Sequence, residues 1–451
     1  MNSERFSFSL NLFPAFSFPA ARLYLVLAGV LFIGACAEKD IPLPGERISV
    51  LNEGQTLGLD SDASKIPVRL PRPAINESWP QAGGQPDHVM GHPAAPGSLK
   101  VLWSKGAGSG SSNKERLLSP PIVGGGRVFT IDVDSEINAF DAESGKHLWD
   151  VDIVPDEEDD ISLGGGLAYE EGRVFATAGF AQVVALDAEN GEEIWRQAMP
   201  GPMRAAPTVR EGKVYIVTID NQAVALSAED GKKLWTHSGI EEATGVLGGA
   251  SPAISKDVVV VPYTSGEIYA LREGSGRPLW SDNLSGFDKL DAVSSLGDIR
   301  ARPAIVDGKI YAISHGGRMV ALDLRTGFRI WERALGGIES PWVAGEFIYV
   351  LTSDSALVCL TRGEGHVVWI SRLQVYEDIE DEEDLIVWAG PILAGNRLLV
   401  VGSTGVMLSL SPYTGLPLGQ VELPDPVIMA PVVANSTIYI LTNDAELIAL
   451  R

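Results

Sequence analysis

Two histidines four residues apart, His88 and His92, two carboxylate runs and an isolated thiol are the groups in this 451-residue chain whose types and spacing could do chemistry. A His pair at that spacing grips a metal when a helix puts both rings on one face and a third ligand stands nearby. This pair lies in "QPDHVMGHP", a Gly/Pro stretch that does not sustain a helix, so no metal site is assigned. The runs "DEEDD" (156–160) and "EDIEDEED" (377–384) carry the oxygen ligands that Ca²⁺ takes. Runs of like charge are more often solvated loops, or patches for a basic partner. Cys359 sits in the strand-like "SALVCLT" and reads as a buried thiol. "GAGSGSS" (106–112) has no Lys-Ser/Thr after it, which excludes a phosphate-cradling loop. A nucleophile elbow of the G-x-S-x-G type is absent from the sequence. No catalytic residue, cofactor or metal is assigned.

The elements around these groups repeat. "DAESGKHLW" (141–149) returns as "DAENGEEIW", "SAEDGKKLW", "REGSGRPLW", "DLRTGFRIW" and "TRGEGHVVW", and then as the Trp-less "SPYTGLPLG" (411–419). The tryptophans are Trp149, Trp195, Trp235, Trp280, Trp331 and Trp369. Pro121, Pro207, Pro252, Pro303, Pro341 and Pro391 each stand 28 residues ahead of the Trp, or of Gly419, in their copy. The core is therefore of constant length, and the variation in period, 38–51 residues, falls between cores. Within a core, runs such as "IYAIS" and "MVALD" alternate with turns such as "DGK" and "HGGR", which are strand and hairpin signals. Four short antiparallel strands per repeat, at this period, predict an all-β propeller. The eighth core, from "APVVANSTIYIL" to Arg451, holds three strands only. The segment "LKVLWSKG" (99–106), with Trp103 at 46 residues before Trp149, is expected to supply its fourth and close an eight-bladed ring. The repeat tryptophans read as packing between neighbouring sheets.

The N-terminus is a targeting segment. Arg22 precedes "LYLVLAGVLFIGAC", too short for a comfortable membrane span and laid out like a secretory leader. "IGAC" (33–36) resembles the lipobox of bacterial lipoproteins, which implies cleavage before Cys36 and acylation of that residue. An ordinary leader containing a Cys is the alternative. Ala37 in place of Asp implies, on the same resemblance, onward transport to the outer membrane. The expected organisation is a signal peptide at 1–35, a Pro-rich tether at 36–98 and a propeller at 99–451. Residues 37–98 hold nine Pro in 62 positions, and their part nearest the propeller, around Trp79, is expected to pack on it. The net charge of −24 argues against nucleic acid or an anionic membrane face as a direct partner.

The D-A-x-x-G-x-x-x-W phrase and its period resemble the repeat of pyrroloquinoline-quinone-type propellers. Lipobox, tether, eight blades and the Trp-less copy before a terminal "LIALR" together resemble the BamB family of lipoproteins. That resemblance implies a non-catalytic scaffold on the periplasmic face of the outer membrane, held there by a lipid anchor. It would bind the periplasmic domains of BamA and other subunits of the β-barrel assembly machine, and unfolded outer-membrane proteins are a further implied contact. The family's contact loops align with "TGVLGGASP" (244–252) and "LGDIRARP" (296–303). Val246, Leu247, Asp298 and Arg300 are the partner-binding residues this implies. Leu247 stands where the family has Arg, and Arg300 where it has a second acid. Two alternatives remain: a quinone-dependent dehydrogenase, whose usual adjacent cysteines are missing here, and a periplasmic scaffold for another envelope complex. For the acidic runs, ion binding predicts saturable heat in a calorimetric Ca²⁺ titration, and a flat titration removes that reading.

Overall fold

The computed structural model describes residues 58–155, 164–242, 248–285 and 298–451. Its repeats form eight four-stranded antiparallel sheets among the described residues. Blade 1 runs Ile122–Gly124, Arg127–Ile131, Glu136–Asp141 and His147–Asp152 from hub to rim. Blades 2 to 7 follow in the same order, with innermost strands Gly165–Glu170, Thr208–Arg210, Ala253–Ser255, Ala304–Val306, Trp342–Ala344 and Trp388–Ala394. Blade 8 takes Val432–Ala434, Thr437–Leu441 and Glu446–Leu450 from the C-terminal end and Val101–Gly106 as its outer strand. Trp103 lies opposite Ala449 and Lys105 opposite Leu447 in that closing pair. Ring closure by the early strand is therefore as expected. Most of the repeat prolines come directly before an innermost strand, where a missing N–H costs nothing in the ladder.

Burial follows position in the blade. Second strands such as Val258–Pro262 are buried throughout, because a neighbouring sheet covers each face. Outer strands such as Lys233–Ser238 bury mainly their Trp and alternate otherwise. Each indole reaches the next blade. Trp103 Nε1 donates to Ala142 O at 3.3 Å, Trp149 to Ala188 O at 3.3 Å and Trp195 to Ala228 O at 3.0 Å. Trp235 donates to Glu273 O at 2.7 Å, Trp280 to Leu324 O at 2.9 Å, Trp331 to Arg362 O at 3.1 Å and Trp369 to Pro412 O at 3.1 Å. Tyr439, Tyr311 and Tyr349 donate their hydroxyls to three of these same carbonyls. The ring of each indole covers the glycine of the neighbour's turn. A Cβ on Gly276 (φ +65°) would lie 2.6 Å from the Trp235 ring.

The Trp-less copy has a physical cause. Glu446–Leu450 and Val101–Gly106 come from distant parts of the chain, so no hairpin turn joins them. The seam between blades 7 and 8 therefore offers neither the turn glycine nor the turn carbonyl that holds an indole elsewhere. Gly419 occupies the Trp position, and a Cβ there would meet nothing within 4 Å.

The Pro-rich stretch departs from a plain tether. Residues 76–93 circle the hub, and each blade in turn bonds to them. Asn435 N–H donates to Asn76 O (blade 8), and Trp79 exchanges two 2.8 Å bonds with Val123 (blade 1). Tyr169 N–H donates to Pro80 O (blade 2), and Val209 N–H to Gln81 Oε1 at 2.9 Å (blade 3). Ile254 N–H donates to Pro86 O, and Ile305 N–H to Asp87 O (blades 4 and 5). Trp342 Nε1 donates to Gly91 O at 2.9 Å (blade 6), and Gly395 N–H to Pro93 O at 3.0 Å (blade 7). The innermost strands have a free edge whose N–H groups need acceptors. A proline-rich band suits this, since its carbonyls accept while several of its nitrogens carry no hydrogen of their own. Farther out, Asp60 bonds both ways with Val367 on the rim strand of blade 6. Val368 there is 5% exposed, against 45% for the matching Leu234.

The run 377–384 was expected as a loop. It forms an exposed hairpin, Tyr376–Asp378 paired with Glu383–Leu385, between blades 6 and 7. The run 156–160 lies outside the described residues.

The interlock predicts that Trp235→Ala costs about 3–5 kcal/mol in urea unfolding. Gly276→Ala should also destabilise, whereas Gly274→Ala, with open space around its Cβ, should stay within about 0.5 kcal/mol of wild type. Equal effects at the two glycines would refute the indole-over-glycine contact.

Candidate docking face

The two ends of the wheel differ because each blade's first strand runs from an inter-blade connection toward a tight turn. The D-A-x-x-G turns and the hub band therefore share one face. The inter-blade connections form the other, and the expected partner loops are among them. One follows Lys233–Ser238 and leads into Ala253–Ser255; the next follows Pro278–Asn283 and leads into Ala304–Val306.

Val246 and Leu247 lie outside the described residues, as does Cys36. Asp298 and Arg300 are described, and neither stands out as a free surface charge. Asp298 is 3% exposed, and its carbonyl accepts the His315 N–H at 2.9 Å. The Arg300 side chain crosses Gly248 (φ +105°), where a Cβ would lie 2.7 Å from Nε. The glycine thus lets the two loops meet. Ser251 Oγ, at the end of the first loop, donates to Ala206 O at 2.8 Å and fixes it to blade 3.

Beside this junction a cleft between blades 3 and 4 is lined by Val217, Ile219, Glu242, Ala250, Pro262 and Ile299, among others. Ile219 and Ile240 are exposed at 37% and 59%. Sequence reasoning passed over both. Ile219 had a visible signal, an apolar residue at the tip of the "TIDN" turn, where a Gly, Ser, Asn or Asp is the usual occupant.

At the hub, Arg204, Arg300, Arg302 and Glu339 line a funnel whose lining includes Ala82 of the band. Burial lowers the basicity of Arg302, opposed by the Glu339 carboxyl and reinforced by Arg300. Burial raises the Glu339 carboxyl pKa, opposed by Arg300 and Arg302. The two histidines of the band have structural roles. His88 Nδ1 lies 2.9 Å from Pro303 O. His92 Nδ1 lies 2.8 Å from Pro71 O, and its Nε2 accepts the Asn396 N–H at 3.0 Å. Burial, with Arg302 second, lowers the His88 pKa to about 3. Cys359 is fully buried, and burial holds its thiol well above the ordinary range. No group of His, Cys, Asp and Glu among the described residues is arranged to hold a metal.

A closed ring of eight four-stranded blades, interlocked by repeat tryptophans and bonded at the hub to a band of the same chain, defines a propeller of the pyrroloquinoline-quinone-repeat class. The profile described as "Outer membrane protein assembly factor BamB" matches residues 133–371. A protein of that name from Alkalilimnicola ehrlichii is 35% identical over 355 residues, 78% of this chain and 88% of its own. The Escherichia coli K12 protein of that name is 28% identical over 357 residues, with the same coverage. The chain belongs to the BamB family of outer membrane protein assembly factors. The crystal structure of BamB from Moraxella catarrhalis aligns with TM-score 0.66 over 78% of this chain and all of that one, at 18% identity. A europium-containing methanol dehydrogenase aligns at 0.63 and 16% identity over 86% of this chain and 90% of its own, a likeness of fold alone. Nothing in these relatives favours the dehydrogenase alternative.

The His88 environment sets a pH response. In the unfolded chain a His takes up a proton as pH falls through about 6.5, whereas folded His88 stays neutral to about 3. The unfolded state then binds more protons, so stability falls as pH drops across that window, by at most about 1.4 kcal/mol per pH unit from this group. His88→Gln is expected to flatten the fall between pH 6.5 and 4 in denaturant titrations. An unchanged slope would show that His88 titrates normally.

Proposed function

We propose that this chain is the propeller scaffold of the β-barrel assembly machine and docks the periplasmic domains of BamA through its inter-blade face. The observation that carries this reading is the junction of the two loops: Arg300 lies over Gly248, beside a cleft lined by the exposed Ile219 and by Asn221, which donates to the carbonyl of the exposed Ile240. Apolar side chains at the centre of a patch, with polar groups around them, are the usual anatomy of a docking surface. Val246 and Leu247 belong to the same loop and extend that apolar character. The protein would act without catalysis, by holding BamA and substrate barrels in a productive arrangement.

Acyl chains on Cys36 would hold the wheel at the periplasmic face of the outer membrane. Because the band and the Asp60 contact tie residues 60–93 to the wheel, the reach from Cys36 is bounded by the 24 residue steps to Asp60. At ~3.3 Å per residue this is at most about 80 Å.

The test is co-purification with the periplasmic domains of BamA. Val246→Asp with Leu247→Asp, and separately Ile240→Asp, should each weaken retention at least ten-fold with the unfolding midpoint unchanged. Asp298 is unsuited to the test, because its burial means that substitution would disturb the fold. Wild-type retention by all three substitutions together would place the partner elsewhere.

A further inference from the structure

The hub funnel is the feature that scaffold docking does not account for. It is a cavity of about 80 Å³ on the loop face, rimmed by Arg204, Arg300 and Arg302, with Ser119, Ser251 and Glu339 on its walls. Its lining includes Ala82 of the band, which is bonded around the hub to the innermost strands. Three arginines line it in a chain of net charge −24, and the charges of Arg300 and Arg302 act on each other. Glu339 is near enough to Arg300 and Arg302 for their charges to act on its carboxyl. Its described hydrogen bond, however, is to the Gly390 N–H at 3.3 Å. Arg302 Nε is enclosed and has no hydrogen-bond partner among the described residues.

Such an arrangement is unfavourable when empty. Like charges repel, one carboxylate stands against three arginines, and the enclosed Arg302 Nε forfeits hydration that no hydrogen bond replaces. An oxyanion offsets both effects at once, and the planar fork of Arg matches two oxygens of a carboxylate or phosphate. The space fits one such group with a few waters and is too small for a folded element.

We propose that this funnel is an oxyanion site, in which Arg204 and Arg300 at the mouth and Arg302 below hold a single phosphate or carboxylate group. The group arrives either as a free ion or as an acidic side chain of the docked partner. The binding chemistry is the same in both cases, and the site does not depend on the partner assignment above.

The experiment uses the full mature chain in phosphate-free buffer, titrated calorimetrically with inorganic phosphate and, separately, with acetate. Saturable one-to-one binding of at least one of the two is expected. Arg204→Gln with Arg300→Gln should weaken it ten-fold or more, while Arg210→Gln, at the exposed end of an inner strand, leaves it unchanged. Arg302 is left intact so that the fold is not at issue. Absence of saturable heat with both anions, or equal affinity in the double variant, overturns the proposal. Adding the binding anion to the BamA co-purification then separates the sources. Displacement of the partner identifies a partner carboxylate as the occupant, and retention identifies a free ion; the site stands in either case.

Discussion

The wheel depends on one contact made seven times: an indole on the rim strand of one blade, seated over a turn glycine of the next and bonded to a carbonyl beside it. Sheets that only stacked face to face could slide, since apolar burial has no direction. The Nε1–H bond has direction, and the glycine leaves a recess that fits one ring. Three tyrosines donate to the same carbonyls from the second strand, so those seams are held at two points converging on one acceptor. The distance from the innermost strand to this acceptor must be the same in every blade. The constant 28-residue core is that requirement written into sequence.

Where the contact cannot form, the chain uses other means. The seam between blades 7 and 8 lacks the receiving turn, and Gly419 replaces the indole. Beside it, blade 8 is completed by main-chain pairing between Val101–Gly106 and Glu446–Leu450. The hub band adds a second closure, with bonds to both blades 7 and 8. The wheel is thus secured on its turn face and at its centre. Its inter-blade connections remain free to differ in length and chemistry without disturbing the ring. The described features that vary most from blade to blade lie on that face: the junction of blades 3 to 5, the arginine-lined funnel and the acidic hairpin 376–385.

The sequence made the ring legible because its constraints are periodic. Proline, glycine and tryptophan recur at fixed offsets, and even the missing strand had its counterpart near Trp103. The band was not legible. Residues 76–93 bond to eight different sheets, one or two residues each, so no period exists to detect, and their prolines resemble those of a spacer. The docking residues were half legible. Alignment with the family pointed to two connections between blades, but the direction of a side chain in an irregular loop depends on what lies beneath it. Asp298 consequently turned inward, and Arg300 points across Gly248 toward the hub. Ile219 and Ile240 were missed because single apolar residues on turns are common and gain meaning only beside a cleft.

The route of the chain from Asp60 to the hub also governs how the protein would bear mechanical load. Among the described residues, a pull from the N-terminal side meets first the two bonds between Asp60 and Val367, on the rim of blade 6. Only after these yield does tension reach the hub, where it is divided among anchor points on eight separate sheets. The closing strand 101–106 lies beyond all of them and is shielded from the force. A wheel loaded through its leading end would in this way strain at its edge while its seam stays shut.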